Sequence, residues 1–353
     1  MFTMTARSLK STCLLLSIAA PIIGCTRPPT GAAPGAGGSA PAVSNAAGKR
    51  VKVCLLPKKK GLAYFSSCND GAEQAAKELG DVDLIYDGPS DGAPEKAASL
   101  IETWTLKGVD TIAVSPNDPG VLAPAMKAAR AKGVNVLTWD ADGQPDSRSF
   151  FVNQATSQQI GAALVDAMAK DLGGAQPSGK VAIVTATLTA ANQNEWIAAM
   201  KEELKKYPQI ELVAVKPCNE DQSVAFQVTQ DLMKTYPDLR GVFGISSVAF
   251  PGAAEAVKQA GKTGQVLVTG LSTPNNMKPY VMDGTVKSVV LWNTQDLGYL
   301  TIYAAEAVAT GKLKVGATTF TAGRLGAKKV QGDNILLGDI LVFTKDNIGK
   351  YDF

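Results

Sequence analysis

Two carboxylates that stand two positions apart, Asp140 and Asp142, are the first candidates for binding chemistry in this sequence. They follow the apolar stretch 134–139, which has the composition of a buried strand. Carboxylates at a strand end can accept hydrogen bonds from the vicinal hydroxyls of a small polar ligand. Two alternatives stay open. The pair could ligate Ca²⁺, although the six or more oxygens that Ca²⁺ needs are not evident here, or it could cap the turn that follows.

Cations and aromatic residues come together after the first predicted strand, in residues 57–65. Lys58 can donate hydrogen bonds to ligand oxygens, and Tyr64 or Phe65 can stack on an apolar face of a ligand. The alternative is a solvated lysine loop with Phe65 buried in the core. We predict a ligand contact for Lys58 and for the two aromatic residues.

Polar residues also follow the strands predicted in the second half of the chain. Asn192 and Gln193 stand at the start of a predicted helix, and amides both donate and accept hydrogen bonds, which suits a neutral polyol. Asn192 could also cap that helix, with Glu195 three positions on. Further candidates follow later strands or stand where the chain passes between its two halves: Ser246, Ser247, Ser272 and Asn293.

The composition excludes several classes of protein. The chain has no histidine, which removes Ser-His-Asp and Cys-His catalysis and His-ligated zinc. Neither a Gly-x-Gly-x-x-Gly motif after the first strand nor a Gly-x₄-Gly-Lys-Ser/Thr motif is present, so we predict no nucleotide cofactor. No other cofactor and no metal are predicted. The net charge of only +3 argues against nucleic acid as a partner. Asp140 and Asp142 are the one carboxylate pair at a strand end, and we predict that the protein is not an enzyme.

The elements that must position these residues alternate along the chain. The length of 353 residues favours about two domains, and 45% hydrophobic residues indicate a globular chain. Apolar strands are predicted at 51–56, 82–86, 111–115, 134–139, 181–185, 211–215, 241–245 and 265–269, with helices between them at 72–79, 94–107, 119–132, 157–171, 193–206, 222–235 and 251–260. Two such series predict an α/β fold of two doubly wound parallel-sheet lobes. Ligands of such sheets bind beyond the carboxyl ends of the strands, where the candidates stand.

The N-terminus has the pattern of an export signal. Residues 1–24 combine a short basic region with an apolar stretch too short to span a membrane, and we predict a signal peptide. Ile22-Ile23-Gly24-Cys25 is similar to a bacterial lipobox and predicts lipid attachment at Cys25; an ordinary signal peptide with an incidental cysteine is the alternative. Residues 25–48 are rich in Pro, Gly, Ala and Ser and predict a lipidated flexible tether, with folded sequence from 49 onward.

Three further cysteines remain after the signal peptide and the proposed anchor. Their odd number argues against a disulfide framework, although export implies an oxidising compartment. Cys54 falls within a buried-strand pattern and is expected in the core. Whether Cys68 and Cys218 form a pair is left open by the sequence.

From about Val51 to Phe353 the chain resembles the periplasmic solute-binding proteins of ABC transporters. It resembles the ribose-binding class, and within that class the rhamnose- and autoinducer-2-binding subgroup. The resemblance rests on six motifs: Leu84-Ile-Tyr-Asp-Gly-Pro89, Val136-Leu-Thr-Trp-Asp140, Leu271-Ser-Thr-Pro-Asn275, Lys278-Pro-Tyr280, Gly284-Thr-Val-Lys287 and Asn347-Ile-Gly-Lys-Tyr-Asp-Phe353.

The resemblance implies a periplasmic binding protein-like type I fold, with ligand trapped between two lobes that a three-strand hinge joins. The N-terminal lobe would comprise residues 49–150 plus about 294–320. The C-terminal lobe would comprise residues 151–293 plus about 321–353. The partners implied are a small sugar, an ABC transporter permease and a membrane held through Cys25. The protein would be an extracytoplasmic monomer.

The resemblance also carries site residues over, position by position. In the autoinducer-2 receptors, a lysine after the first strand matches Lys58 and the aspartate of a Trp-Asp pair matches Asp140. Their Asp-Gln pair falls on Asn192-Gln193, and their Pro-x-Ala backbone site falls on residues 245–247. A later Trp-Asp pair of the receptors falls on Trp292-Asn293, so this chain differs from the receptors at several of these positions.

The differing positions favour one ligand class over another. The stretch 291–299 resembles the rhamnose-type members, and a rhamnose-like deoxyhexose or a related monosaccharide or polyol is the predicted ligand. The alternative is a receptor for autoinducer-2, or a sensory binding protein that serves chemotaxis or a sensor kinase.

Overall fold

The structure of the protein is a computed structural model that describes residues 50–353. The predicted signal peptide, the predicted anchor Cys25 and the predicted tether lie outside the described residues. Within residues 50–353, no helix is both long and apolar enough to cross a membrane.

Strands and helices alternate through most of the described chain. The strands are β1 (Val51–Leu56), β2 (Val82–Tyr86), β3 (Thr111–Val114), β4 (Asn135–Trp139), β5 (Phe151–Asn153), β6 (Gly179–Thr185), β7 (Ile210–Pro217), β8 (Leu239–Gly244), β9 (Leu267–Gly270), β10 (Val289–Leu291), β11 (Thr319–Thr321), β12 (Ala327–Gln331), β13 (Asn334–Leu336) and β14 (Leu341–Phe343). The helices are α1 (Ala63–Leu79), α2 (Pro94–Leu106), α3 (Pro119–Ala131), α4 (Ser157–Asp171), α5 (Ala191–Leu204), α6 (Gln222–Thr235), α7 (Ala249–Gln259), α8 (Pro274–Met282) and α9 (Thr294–Ala309).

The larger sheet has the strand order β11-β12-β13-β5-β4-β3-β1-β2, and β1 to β5 pair in parallel. Successive residues of β1 belong to cores on opposite faces. Val53 and Leu55 pack in the core that includes α1 and α9, while Cys54 and Leu56 pack with α2 and α3. A strand buried on both faces needs a continuous apolar run, which explains the composition of β1. The part of the chain around this sheet is called the first lobe.

The smaller sheet has the strand order β7-β6-β8-β9 and is parallel throughout. Helices α4 and α5 pack against each other, as do α6 and α7. A parallel bridge from Leu271 to Val290 joins β10 to this sheet, and β10 pairs antiparallel with β14. The part of the chain around these strands is called the second lobe. The chain passes between the lobes three times: from β5 to α4, from β10 to α9, and from β13 to β14.

The predicted α/β fold with parallel sheets is confirmed, and helices 157–171 and 222–235 have their predicted bounds. Helix α1 begins at Ala63 rather than at residue 72. The predicted boundary assigned residues 151–293 and about 321–353 to the C-terminal lobe. The sheet of the first lobe instead includes three strands from these ranges, β5, β12 and β13. The pairing explains the difference, because β13 adds in parallel to β5 and β12 adds to β13.

Cys54, Cys68 and Cys218 are all free thiols and all buried. Cys68 lies in α1 of the first lobe and Cys218 follows β7 of the second. Burial raises the pKa of the Cys218 thiol to about 11. Cys68 and Cys218, whose pairing the sequence left open, therefore do not form a disulfide.

Helices α1 and α9 approach each other closely because each places a glycine at the contact. A Cβ atom on Gly298 would overlap the carbonyl oxygen of Cys68, and one on Gly71 would overlap the carbonyl oxygen of Gln295. Helices can come this close only where side chains are absent from the contact. The pair matters for the rest of the fold because α9 begins directly after the second crossing between the lobes.

We expect Gly298→Ala to lower the free energy of unfolding by about 1–3 kcal/mol, the usual range for overpacking a core. The added methyl must displace backbone rather than a flexible side chain. Thermal unfolding followed by circular dichroism measures the effect. Gly349→Ala is the control, because nothing lies within 4 Å of a Cβ at that exposed position. Equal melting temperatures for the two variants would contradict this packing argument.

Candidate functional site

A cavity lies between the two lobes, beyond the carboxyl ends of strands from both sheets. Both lobes and the second crossing contribute to its wall. The lining residues are Lys58, Leu62, Tyr64, Phe65, Asp140, Asn192, Gln193, Trp196, Glu220, Ile245, Ser246, Ser247, Leu271, Leu291 and Trp292. The location agrees with the general rule for doubly wound sheets.

Asp140 is the most heavily bonded polar residue of this cavity. It follows β4 directly and has a φ of 63°, in the left-handed region that aspartate tolerates better than most residues. Its Oδ1 accepts a hydrogen bond from the Tyr64 hydroxyl at 2.8 Å, and its Oδ2 accepts one from Ser115 Oγ at 2.7 Å. Lys58 Nζ lies 3.4 Å from Oδ2. Both members of this ion pair are buried, so the hydroxyl donors compensate for the water that the carboxylate has lost.

Tyr64 lies in the first turn of α1 and connects Asp140 to the aromatic wall. Its hydroxyl donates to Asp140 and accepts from the indole Nε1 of Trp292 at 3.0 Å. Burial, together with the neighbouring carboxylate of Asp140, raises the pKa of Tyr64 well above its ordinary value. The phenol therefore stays protonated and acts as a donor toward the carboxylate at any physiological pH.

Lys58 connects the first lobe to the second. Its Nζ donates to Asn192 Oδ1 at 3.2 Å, and Asn192 Nδ2 donates in turn to the backbone oxygen of Asp140 at 3.5 Å. Nearby, Lys59 Nζ donates to the backbone oxygen of Glu220 at 3.3 Å. These bonds run directly from one lobe to the other, so the lobes are closed on each other in this structure.

The two amides at the start of α5 have different roles. Helix α5 begins at Ala191, with Ala190 at the N-cap position and no side-chain cap, so the alternative that Asn192 caps the helix is wrong. Gln193 Oε1 accepts from Thr185 Oγ1 at 2.5 Å and from the Ala186 backbone N–H at 2.8 Å. Both hydrogen bonds to this oxygen come from the protein, so the Nε2 amide group of Gln193 is the donor that can bind a ligand.

Aromatic rings form one side of the cavity. Trp196 and Trp292 have their ring centroids 6.0 Å apart, and Tyr64 and Trp292 have theirs 6.1 Å apart in an edge-to-face arrangement. Phe65 contacts Tyr64 edge-on at 5.0 Å. Such surfaces pack on the apolar faces of small ring ligands. Aliphatic side chains complete the apolar part of the wall: Leu62, Ile245, Leu271 and Leu291.

Eight of the predicted site residues line this cavity together. They are Lys58, Tyr64, Phe65, Asp140, Asn192, Gln193, Ser246 and Ser247. Their convergence comes from the parallel topology, which brings strand ends that are far apart in sequence to one cleft. Their role as ligand contacts stays a prediction.

Three predicted residues do not line this cavity. Asp142 binds Arg148 through both carboxylate oxygens, at 2.5 and 2.8 Å, and Arg148 also pairs with Asp333. Ser272 donates to the Ser247 backbone oxygen at 2.9 Å. The third residue, Asn293, caps α9 by accepting from the backbone N–H three residues on, at 3.0 Å. Each side chain has a partner inside the protein, and a ligand role for it remains only a prediction.

Several lining residues were missed by the sequence reasoning. Glu220 stands three positions after β7, so the strand-end rule applied to Asn192 could also have found it. Trp196 lies one turn into α5, where only its aromatic character marked it. Trp292 was matched to the receptors' later Trp-Asp pair but was not predicted as a ligand contact. Within residues 50–353, no group of three or more His, Cys, Asp or Glu side chains could hold a metal ion.

The comparisons with known proteins agree with this geometry. A family model described as a periplasmic binding protein domain matches residues 53–313. A sugar ABC transporter structure from Actinomyces odontolyticus is 35% identical, covers 86% of this chain and 98% of its own, and has a TM-score of 0.70.

Two further similar structures hold a bound ligand. LsrB from Clostridium saccharobutylicum, in complex with AI-2, is 30% identical, with 86% of this chain and 100% of that chain covered and a TM-score of 0.82. An ABC transporter solute binding protein from Clostridium phytofermentas, with bound L-rhamnose, is 29% identical, with 85% and 98% covered and a TM-score of 0.80. The match over most of the described chain, together with a cleft closed between two parallel-sheet lobes, shows that this chain belongs to the periplasmic binding protein family.

Proposed function

We propose that this chain is the sugar-binding protein of an ABC transporter and that its ligand is a rhamnose-like deoxyhexose. The observation that carries the proposal is the buried Lys58–Asp140 pair, 3.4 Å apart, which faces an aromatic-walled cavity between the two lobes. The similar structures that hold AI-2 and L-rhamnose support this class of ligand.

The polar part of the cavity suits hydroxyl groups. A carboxylate accepts hydrogen bonds from hydroxyls, an ammonium donates to them, and amides do both. Asp140, Lys58 and Asn192 supply these three kinds of group within one hydrogen-bonded cluster. Bonds with a charged partner contribute about 1.5–3 kcal/mol each, enough to orient a small polyol.

The apolar part of the cavity suits the methyl group and ring face of a deoxyhexose. Leu62, Ile245 and Leu291 present aliphatic surface, and Trp196 and Trp292 present rings. Polar and apolar side chains line the same cavity, which suits a ligand that carries both hydroxyl groups and an apolar face.

Binding would act through closure of the lobes. Lys58 belongs to the first lobe and Asn192 to the second, so their contact exists only in the closed form. A ligand that touches both lobes binds the closed form better than the open form, and it shifts the population by that difference in affinity. The closed protein would then dock on a permease as a monomer.

Autoinducer-2 is the alternative ligand, and the LsrB structure with AI-2 favours it by its fold similarity. The residues Asn192, Ile245 and Ser247 differ from the receptor pattern named above. We give the deoxyhexose precedence for that reason. Lipid attachment at Cys25, and export by the signal peptide before it, would hold the protein outside the cytoplasm at a membrane.

The first prediction from this proposal concerns the class of ligand. The soluble part of the chain, residues 49–353, is tested by thermal shift against monosaccharides, polyols and autoinducer-2. L-rhamnose at 100 times its dissociation constant should stabilise the protein by about 2.7 kcal/mol, a readable rise in melting temperature. A shift with autoinducer-2 alone would instead support the receptor alternative. The absence of any shift would contradict sugar binding.

The second prediction separates the two aspartates. Asp140→Asn removes the charge that pairs with Lys58 and should weaken sugar binding at least tenfold, measured by titration calorimetry. Asp142→Asn is the matched control, because its side chain lies with Arg148 away from the cavity. We expect that variant to keep its affinity within about twofold.

A third prediction follows for the same control variant. Arg148 is buried, with 3% of its side chain exposed, and the amide at position 142 would leave it with Asp333 as its remaining carboxylate partner. The free energy of unfolding of Asp142→Asn should fall by about 1–3 kcal/mol, measured by chemical denaturation. A large loss of sugar affinity with unchanged stability would show that Asp142 contacts the ligand after all.

A further inference from the structure

We propose that Glu220 is a specificity-determining ligand contact: its carboxylate accepts hydrogen bonds from sugar hydroxyls on the second-lobe side of the cavity and excludes sugars that carry a negative charge. The inference rests on the proposed function, because it assumes that the cavity binds a sugar. It extends that function by naming the residue that selects neutral over acidic sugars.

The turn after β7 brings Glu220 to the cavity. Asn219 and Glu220 both have left-handed φ angles, 55° and 51°, which non-glycine residues adopt rarely and at some expense in energy. The turn is held by backbone bonds from Cys218 to Thr185 and from Asn219 to Ala186, at 2.8 and 2.7 Å. As a result Glu220 lines the cavity from the second lobe, while Asp140 lines it from the first.

The carboxylate of Glu220 lacks a cationic partner. Among the ion pairs of residues 50–353, none within 4 Å includes Glu220, although Lys58 and Lys59 are near enough to act on it electrostatically. The side chain of Ser246 also favours its ionised form. Burial raises the pKa of Glu220, and Asp140 adds to that rise, while the two lysines and Ser246 oppose it. Acceptor capacity therefore remains on a carboxylate that faces the cavity.

The balance of charge in the cavity gives the specificity. Asp140 and Glu220 are two carboxylates, and Lys58 is the one cation that lines the cavity with them. Lys59 lines an adjoining cavity, where its ammonium donates a hydrogen bond to the Glu220 backbone oxygen. The excess of carboxylate acceptors favours ligands with hydroxyl groups, because hydroxyls donate hydrogen bonds. A carboxylate or phosphate on the ligand would be repelled by the two carboxylates, and the low dielectric constant of the buried cavity strengthens that repulsion.

The test compares Glu220→Gln with Glu211→Gln. Glu211 is exposed at the opposite end of the same strand, β7, and serves as the matched control. The probe is L-rhamnose, replaced by the member of the thermal-shift panel that stabilises the wild-type protein if L-rhamnose does not. Titration calorimetry should give a ten- to hundredfold weaker affinity for Glu220→Gln, and an affinity within twofold of wild type for Glu211→Gln.

A pair of sugars tests the charge argument separately. D-fucose and D-galacturonate differ at one carbon, which carries a methyl group in the first and a carboxylate in the second. In Glu220→Gln, the ratio of the two affinities should change by tenfold or more in favour of D-galacturonate. An unchanged ratio with unchanged affinity for the neutral sugar would overturn the inference.

Ligand-free stability separates a binding role from a structural one. Because the folded environment raises the pKa of Glu220, the ionised carboxylate opposes folding at neutral pH. Glu220→Gln without ligand should therefore melt at the wild-type temperature or above it, and a lower melting temperature would argue for a structural role. If the wild-type protein binds no member of the panel, the proposed function fails. If it binds and Glu220→Gln binds equally well, only the role of Glu220 fails.

Discussion

The buried ion pair between Lys58 and Asp140 is the constraint on which the arrangement of the cleft depends. Removing both charges from water is unfavourable unless the remaining donors and acceptors are satisfied. Tyr64 and Ser115 supply donors to the carboxylate, and Asn192 supplies an acceptor to the ammonium. Because Asn192 belongs to the other lobe, the polar cluster is complete only when the lobes are closed. The electrostatics of the site and the position of the lobes are therefore coupled.

Much of the fold could be predicted because parallel strands buried on two faces have an unmistakable apolar pattern. The start of α1 could not, since the helix begins with aromatic and polar residues and includes Gly71 within its length. That stretch is helical because it packs on α9, a contact distant in sequence. Strands β11 to β13 were missed for a related reason. They are short and partly exposed at a sheet edge, so no apolar period marks them.

The site was predictable to the extent that topology alone decides it. The strand-end rule located Lys58, Asp140 and Gln193, because every parallel strand delivers its following residue to the same edge. The rule cannot tell whether a side chain faces the ligand or the protein. Asp142 follows the same strand as Asp140, but Arg148 takes up its carboxylate. The same rule, applied three positions past β7, would have included Glu220. The sequence pattern does not reveal the left-handed turn at Asn219 and Glu220 that brings its side chain to the cavity.

The cross-lobe contacts set how much a ligand must contribute to closure. Lys58 to Asn192 and Lys59 to the Glu220 backbone are two hydrogen bonds that the closed protein makes without ligand. Such bonds contribute roughly 0.5–3 kcal/mol each, depending on charge, so the closed form is accessible but not strongly favoured by them alone. A ligand that keeps these bonds and adds its own contacts to Asp140 and Gln193 stabilises closure further. One that must displace Lys58 from Asn192 loses part of that gain, and the cluster thereby discriminates between ligands of similar size.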